Sequence, residues 1–129
     1  MGRQIIRTER APSPVGPYNQ AVKVDGWVYC SGQLPLDPDT GEMVATGAAA
    51  AAERVLRNIE AVLEAAGGCL ADAVKVTVYL RDLNDFKAMN EVFERFFPEA
   101  PPARAAIEAA RLPADAQVEM DLVAYVGER

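Results

Sequence analysis

A chain of 129 residues, half of them apolar and a quarter charged, suits one soluble domain with a single core. Its 13 basic and 19 acidic residues leave a net charge of −6 without a basic cluster, which speaks against a nucleic-acid partner because phosphate neutralisation supplies most non-specific affinity. No histidine is present, so Ser-His and Cys-His nucleophile pairs, two-histidine zinc motifs and imidazole acid-base chemistry are excluded, leaving carboxylates, hydroxyls, backbone groups and arginine.

The segment from Met1 to Arg10 sets three arginines around two isoleucines, which is no signal peptide, and Ile6 stands where a myristoylation signal takes Ser or Thr. The longest charge-free apolar tract, 44–52, is mostly alanine and far short of the roughly 20 residues that cross a bilayer. The expected location is the cytoplasm, with no membrane partner. Gln20 to Gly32 reads as two short strands joined at Asp25-Gly26, a hairpin signal between alternating apolar runs. Pro35, Pro38 and Asp39-Thr40-Gly41 then make a turn. Asp37, Asp39 and Gly41 imitate the start of a calcium loop, but Ala48 stands at the twelfth position, where a bidentate Glu is required.

Val55, Leu56, Ile59, Val62, Leu63 and Ala66 recur at helical spacing, predicting a helix over 48–66 that Gly67-Gly68 ends. The alternation of Val74, Val76, Val78 and Leu80 predicts a strand over 74–81. A second helix over 85–97 is expected to bury Phe86, Met89, Phe93, Phe96 and Phe97, with Asn84 or Asp85 as N-cap. Strands over 103–110 and 117–126 close the chain around a turn at Leu112-Pro113-Ala114-Asp115. The order is ββ(β)αβαββ, the third early strand being optional, and the fold class is an α+β sandwich with two helices on one face of a mixed sheet.

Those helices would cover Val74, Val76, Val78 and Leu80 together with Val118, Met120, Leu122 and Ala124. The opposite face takes Tyr79, Val123 and Tyr125 beside Thr77, Glu119 and Asp121; on another strand Arg104, Ala106 and Glu108 share one side. A face so rich in aromatic and small residues either meets another subunit or is an ordinary mixed surface. Cys30 and Cys69 lack the spacing of a metal knuckle or redox pair, and Cys30 reads as a buried small hydrophobe.

Four separated stretches carry the residues suited to chemistry: Gly16-Pro17-Tyr18-Asn19-Gln20-Ala21, Tyr29-Cys30-Ser31-Gly32-Gln33, Pro102-Ala103-Arg104, and Glu108 to Pro113 running on to Glu119. In order, Gly-Pro-Tyr-x-Gln-Ala, Ser-Gly-Gln-x-Pro, Asp-Pro-x-Thr-Gly-Glu, Arg-Asp-Leu-Asn-Asp-Phe at 81–86, Pro-Ala-Arg and Ala-Arg-Leu-Pro resemble the RidA/YjgF (reactive intermediate deaminase) family over nearly the whole chain. The resemblance implies one RidA-like domain over 1–129, a homotrimer of chorismate-mutase-like subunits with a ligand cleft at each interface, and no cofactor or metal. It also implies hydrolysis of enamines and imines, such as 2-aminoacrylate and 2-iminobutanoate, to 2-keto acids and ammonium.

By the same resemblance Arg104 grips the substrate carboxylate, Glu119 holds and deprotonates a water, and Tyr18 closes over the ligand. Ser31 and Gly32, through their backbone, the Asn90 amide and the main-chain carbonyl of Ala106 add polar contacts. Asn90 also stands out locally, since it flanks the Phe86/Phe93 stripe where a structural position is more often apolar. Without the resemblance, Arg104 reads rather as a strand salt bridge and Glu119 as an exposed strand glutamate, and Tyr18 equally as a staple over the sheet. The chain departs from many relatives at Ala105 and Ala106, where they carry a hydroxyl residue and a cysteine, so no thiol chemistry is expected there. Two other functions stay open: an endoribonuclease or translation inhibitor, against which the charge and missing histidine count, and a module that binds small carboxylates without turnover.

Overall fold

The structure, a computed structural model, describes residues 2–127; Met1, the first residue of the 1–10 segment, and Glu128 and Arg129 lie outside the described residues. Three strands precede the first helix: β1 (Gln4–Ile6), β2 (Ala21–Val24) and β3 (Trp27–Gln33). The optional strand expected after the hairpin is only an isolated bridge between Leu36 and Met43; the extra strand is the N-terminal β1, too short to show an alternation. Asp25 and Gly26 take positive φ, 51° and 84°, as a two-residue hairpin turn between twisted strands requires.

Helix α1 (Ala48–Ala65) buries Val55, Leu56, Ile59, Val62 and Leu63, together with Ala51 and Ala52 of the alanine run. Each of the larger side chains contributes about 1.5–3 kcal/mol by leaving water. The helix ends as its glycine pair predicts: Gly67, at φ 90°, donates to Glu64 O and Gly68 donates to Leu63 O, satisfying two terminal carbonyls. Lys23 Nζ donates to a third, Ala66 O, at 3.0 Å.

Next come β4 (Ala73–Leu80), α2 (Phe86–Phe96), β5 (Ala103–Glu108) and β6 (Val118–Tyr125). The sheet order is β1-β2-β3-β6-β4-β5, with β4 and β5 parallel and every other neighbouring pair antiparallel. The fold is therefore α+β, a mixed sheet with both helices on one face. Val76, Val78, Leu80, Val118, Met120, Leu122 and Ala124 lie under the helices as expected.

Val74 does not. The β4–β6 register shifts between Ala73 and Lys75, so a bulge turns Val74 outward and Ala73 packs against the core in its place. Phe86 is also more exposed than its periodicity implies, at the N-terminal end of α2, whereas Met89, Phe93 and Phe97 are buried. Asp85 occupies the N-cap position without a side-chain cap bond. The chain enters α2 through a 3-10 turn, and Asp82 caps that turn by accepting from Asn84 N–H at 2.9 Å.

The helix-free face carries Ile5, Trp27, Tyr29, Ile107 and Tyr125, all exposed, and Trp27 packs on Tyr125 with ring centroids 4.9 Å apart. The cluster of Trp27, Tyr29 and Tyr125, with Ile107 apart from it beyond Tyr79 and Glu119, is poorly solvated.

Candidate active site

Glu119 points from β6 onto the helix-free face, where its cross-strand partner is Tyr79. On its other side, β3 makes room for it. The β3–β6 register shifts between Cys30 and Gln33, so Ser31 and Gly32 together face Asp121 across a bulge. At Gly32 the carboxylate takes the space of the missing side chain: a Cβ there would overlap Glu119 Oε2. Glycine lets the carboxylate approach this closely, at a position with no strained φ; with a Cβ there the flexible end of Glu119 would have to swing away.

The loop that leads into β2 is tied to the same bulge. Ser31 Oγ donates to Asn19 O at 2.6 Å and Ser31 N–H donates to Gln20 O at 2.9 Å. Both donors of Ser31 are thus engaged within the chain, so it shapes the site. Tyr18, exposed on that loop, shares a small cleft with Gly32.

Burial raises the Glu119 pKa above the usual carboxylate range, and the like charge of Asp121, two residues on along the same face, raises it further. Asp121 itself accepts from the Tyr79 hydroxyl at 2.9 Å, which with burial raises the tyrosine pKa. Sequence alternation placed Tyr79 and Asp121 on this face but did not reveal their hydrogen bond. Cys30, on the core side of β3, is pushed up to about 12 by burial and by Asp121, so it is an unreactive thiol and packs as the small hydrophobe its sequence setting suggests.

Arg104 lies on the other face. In the parallel β4–β5 register, Arg104, Ala106 and Glu108 pair with Val76, Val78 and Leu80, so the side they share is the helix-covered one. This corrects any placement of Arg104 and Ala106 beside Glu119 within one subunit. The half-buried guanidinium lies 4.7 Å from the Phe93 ring centroid and 5.3 Å from that of Phe86, and donates from Nη1 to Asn90 Oδ1 at 2.7 Å. Asn90 therefore orients Arg104. The two rings have no signal in the sequence around Arg104, because α2 reaches them only through the crossover. Among the described residues Arg104 forms no ion pair, and neither does Glu119.

The seven residues thus gather in two groups. Tyr18, Ser31, Gly32 and Glu119 belong to the helix-free side, whereas Asn90, Arg104 and Ala106 belong to the helix side at the β5 edge. One group offers a carboxylate of raised basicity, the other a planar fork of donors lying against two rings.

A family model described as Endoribonuclease L-PSP matches residues 8–126. The chain is 52% identical over 125 residues to a RutC family protein of Pyrococcus abyssi, covering 97% of this chain and 98% of that protein. It is 43% identical over 125 residues to the 2-iminobutanoate/2-iminopropanoate deaminase of Homo sapiens, covering 97% of this chain and 91% of that protein. The crystal structure of RidA from the Antarctic bacterium Psychrobacter sp. matches with a TM-score of 0.92 at 50% identity, over 95% of this chain and 99% of that one.

Proposed function

The chain belongs to the RidA/YjgF family, and on that premise we propose that it is a deaminase of 2-imino acids and their enamine tautomers, such as 2-aminoacrylate and 2-iminobutanoate, with residues 1–129 acting as one RidA-like domain. The observation that carries the reading is the pairing of functions: an arginine fork that forms no ion pair among the described residues and a glutamate of raised pKa seated against a glycine. The two lie on opposite faces of one sheet, so a ligand touching both sits between two copies of the chain. The apolar cluster of Trp27, Tyr29 and Tyr125 is suited to contact with such a copy, and a closed ring of three supplies one site per interface.

The chemistry asked of the protein is modest. The carbon of a protonated imine is already electrophilic, so neither metal nor cofactor is called for. Arg104 holds the substrate carboxylate, each charge-assisted bond contributing roughly 1.5–3 kcal/mol. The Glu119 carboxylate takes a proton from water as its oxygen bonds to the imine carbon, and that proton passes to nitrogen. The C–N bond then breaks as the hydroxyl oxygen forms C=O and gives its proton to Glu119, and the nitrogen leaves as ammonia, which takes that proton to become ammonium.

The deciding experiment makes 2-iminobutanoate with a threonine dehydratase and follows its decay with and without this protein. Faster decay is expected; binding without acceleration leaves the carboxylate-binding module. Light scattering should give about three subunits per particle, and a monomer that retains activity overturns the interfacial site. The family description favours the endoribonuclease alternative, but the net charge of −6 opposes it. RNA cleavage that tracks the purified protein and vanishes in Arg104→Ala would establish it.

A further inference from the structure

Of the three buried carboxamides among the described residues, Gln20, Gln33 and Asn58, two hold loops and take no part in that mechanism. Gln20 is 3% exposed and Asn58 is 0% exposed. Gln20 Oε1 accepts from Thr8 N–H at 2.7 Å, and its Nε2 donates to the carbonyls of Thr8, Ala11 and Pro12 at 3.0, 3.2 and 2.9 Å. One side chain thereby engages four backbone groups of the segment 8–12, its two amide hydrogens shared among three carbonyls. Its main-chain carbonyl accepts from Ser31, which ties this clasp to the bulge that seats Glu119. Asn58, facing inward from α1, does the same for the loop after β3. Its Nδ2 donates to the carbonyls of Leu34 and Leu36 at 3.2 and 3.0 Å, while Oδ1 accepts from Arg54 Nε at 3.2 Å.

The loops held by these two amides wall a single cleft, lined by Pro12, Val15 and Tyr18 from one loop, Leu34 and Leu36 from the other, and Gly32. Its volume is about 20 Å³, room for a methyl group or one water. A carboxamide is suited to this task because it offers donors and an acceptor at once without a charge, and buried loop carbonyls left unpaired are costly.

We propose that Gln20 and Asn58 are positioning residues that hold the Tyr18 loop and the Leu34–Leu36 loop at the spacing on which selection of a short substrate side chain depends. The selection part rests on the imino-acid reading; the clasp does not. Gln20→Glu and Asn58→Asp keep the volume of each side chain but replace its donors with acceptors, setting a carboxylate against the loop carbonyls. The loops are then released with the core volume unchanged.

The test assays wild type, Gln20→Glu, Asn58→Asp and Leu36→Ala with straight-chain imino acids from 2-iminopropanoate to 2-iminohexanoate, made in situ by an amino-acid oxidase. One methylene in an apolar pocket is worth roughly tenfold or more in discrimination. The ratio of kcat/KM for the shortest to the longest substrate is expected to fall about tenfold in each variant, through KM for the short substrates. Lost stability alone would lower the melting temperature and leave that ratio where it was. A ratio unchanged within about twofold in the folded amide variants overturns the proposal; so does an unchanged ratio in Leu36→Ala, which keeps both clasps and decides the matter if the amide variants do not fold. Limited trypsinolysis separates the two layers. Arg7 and Arg10 bracket the clasped residue Thr8, and cleavage after them should quicken at least tenfold in Gln20→Glu. If wild type turns over no imino acid, the functional reading fails, whereas equal cleavage of folded Gln20→Glu and wild type removes the clasp itself.

Discussion

Arg104 and Glu119 stand on strands separated only by β4, yet their surroundings are made by opposite means. Arg104 is held by contact: two aromatic rings and one amide, all from α2, pack against and aim its guanidinium. Glu119 is held by space: a bulge and a glycine admit its carboxylate, while burial and Asp121 raise its pKa. Contact fixes the geometry of a group whose charge is permanent, which suits binding. Space and a like charge adjust the proton affinity of a group that must gain and lose a proton, which suits the reaction itself. Substitutions on the two sides should accordingly differ in the kinetic constant they alter.

The largest effect is expected from Glu119→Gln, which keeps size and shape but removes the base: kcat should drop roughly ten- to ten-thousand-fold with little change in KM. Full activity in the coupled assay would make Glu119 a structural strand residue and move water activation to backbone carbonyls or to the substrate. Arg104→Ala should instead raise KM and also lower kcat, together costing about 2–4 kcal/mol in kcat/KM. Lysine should restore little, because a point charge cannot reproduce the fork and stacks poorly against Phe86 and Phe93. Mixing the two inactive variants sharpens the comparison. If each site takes its arginine and glutamate from different copies, subunits reassembled from equal amounts should regain about a quarter of wild-type activity per site. No recovery after verified subunit exchange would place both groups in one chain's site.

Gly32→Ala probes the space around Glu119 directly. The added methyl collides with Oε2, so the carboxylate must move. A roughly tenfold loss in kcat with little change in melting temperature is expected, because the flexible end of Glu119 can swing aside, and calorimetry beside kinetics measures both. Retained kcat would mean that the seat of the carboxylate is unimportant.

Much of this architecture could be read from local pattern. The limits of α1, β4, α2 and β6 fall within a residue or so of expectation, because alternation, helical stripes and the Gly67-Gly68 stop act over a few residues. Val74 was misplaced because a bulge is a property of two strands, and alternation on β4 alone cannot reveal it. The same reason hid the side on which Arg104 lies. Alternation groups Arg104 with Ala106 and Glu108, but only the register against β4 decides which way that group faces. The site residues themselves came from family resemblance, and their division between two faces came from the sheet. The Gln20 clasp was beyond local reading, since it joins residues 8–12 to position 20 across an irregular loop.

The smallest expected effect concerns the proton on Glu119. Activity requires its ionised form, so kcat/KM should decline as pH falls through its raised pKa, above the ordinary carboxylate range. Stability runs the other way. A carboxyl whose folded pKa exceeds its unfolded value contributes stability that is fully present below the unfolded value and is lost as pH rises through the folded one. Between those two values, acidification should therefore strengthen this contribution to folding while weakening catalysis. Asp121→Asn separates the causes. The new amide can still accept from the Tyr79 hydroxyl, so the hydrogen bond is retained while the neighbouring charge is gone. The acid limb of the pH profile should move down but stop short of an ordinary glutamate, since burial, the larger cause, persists. Carbon-detected NMR titration of the Glu119 carboxyl reads the same shift without turnover. A limb that moves while that titration stays fixed would assign the kinetic pKa to another group, and a limb and titration that both stay fixed would remove Asp121 from the tuning of the base.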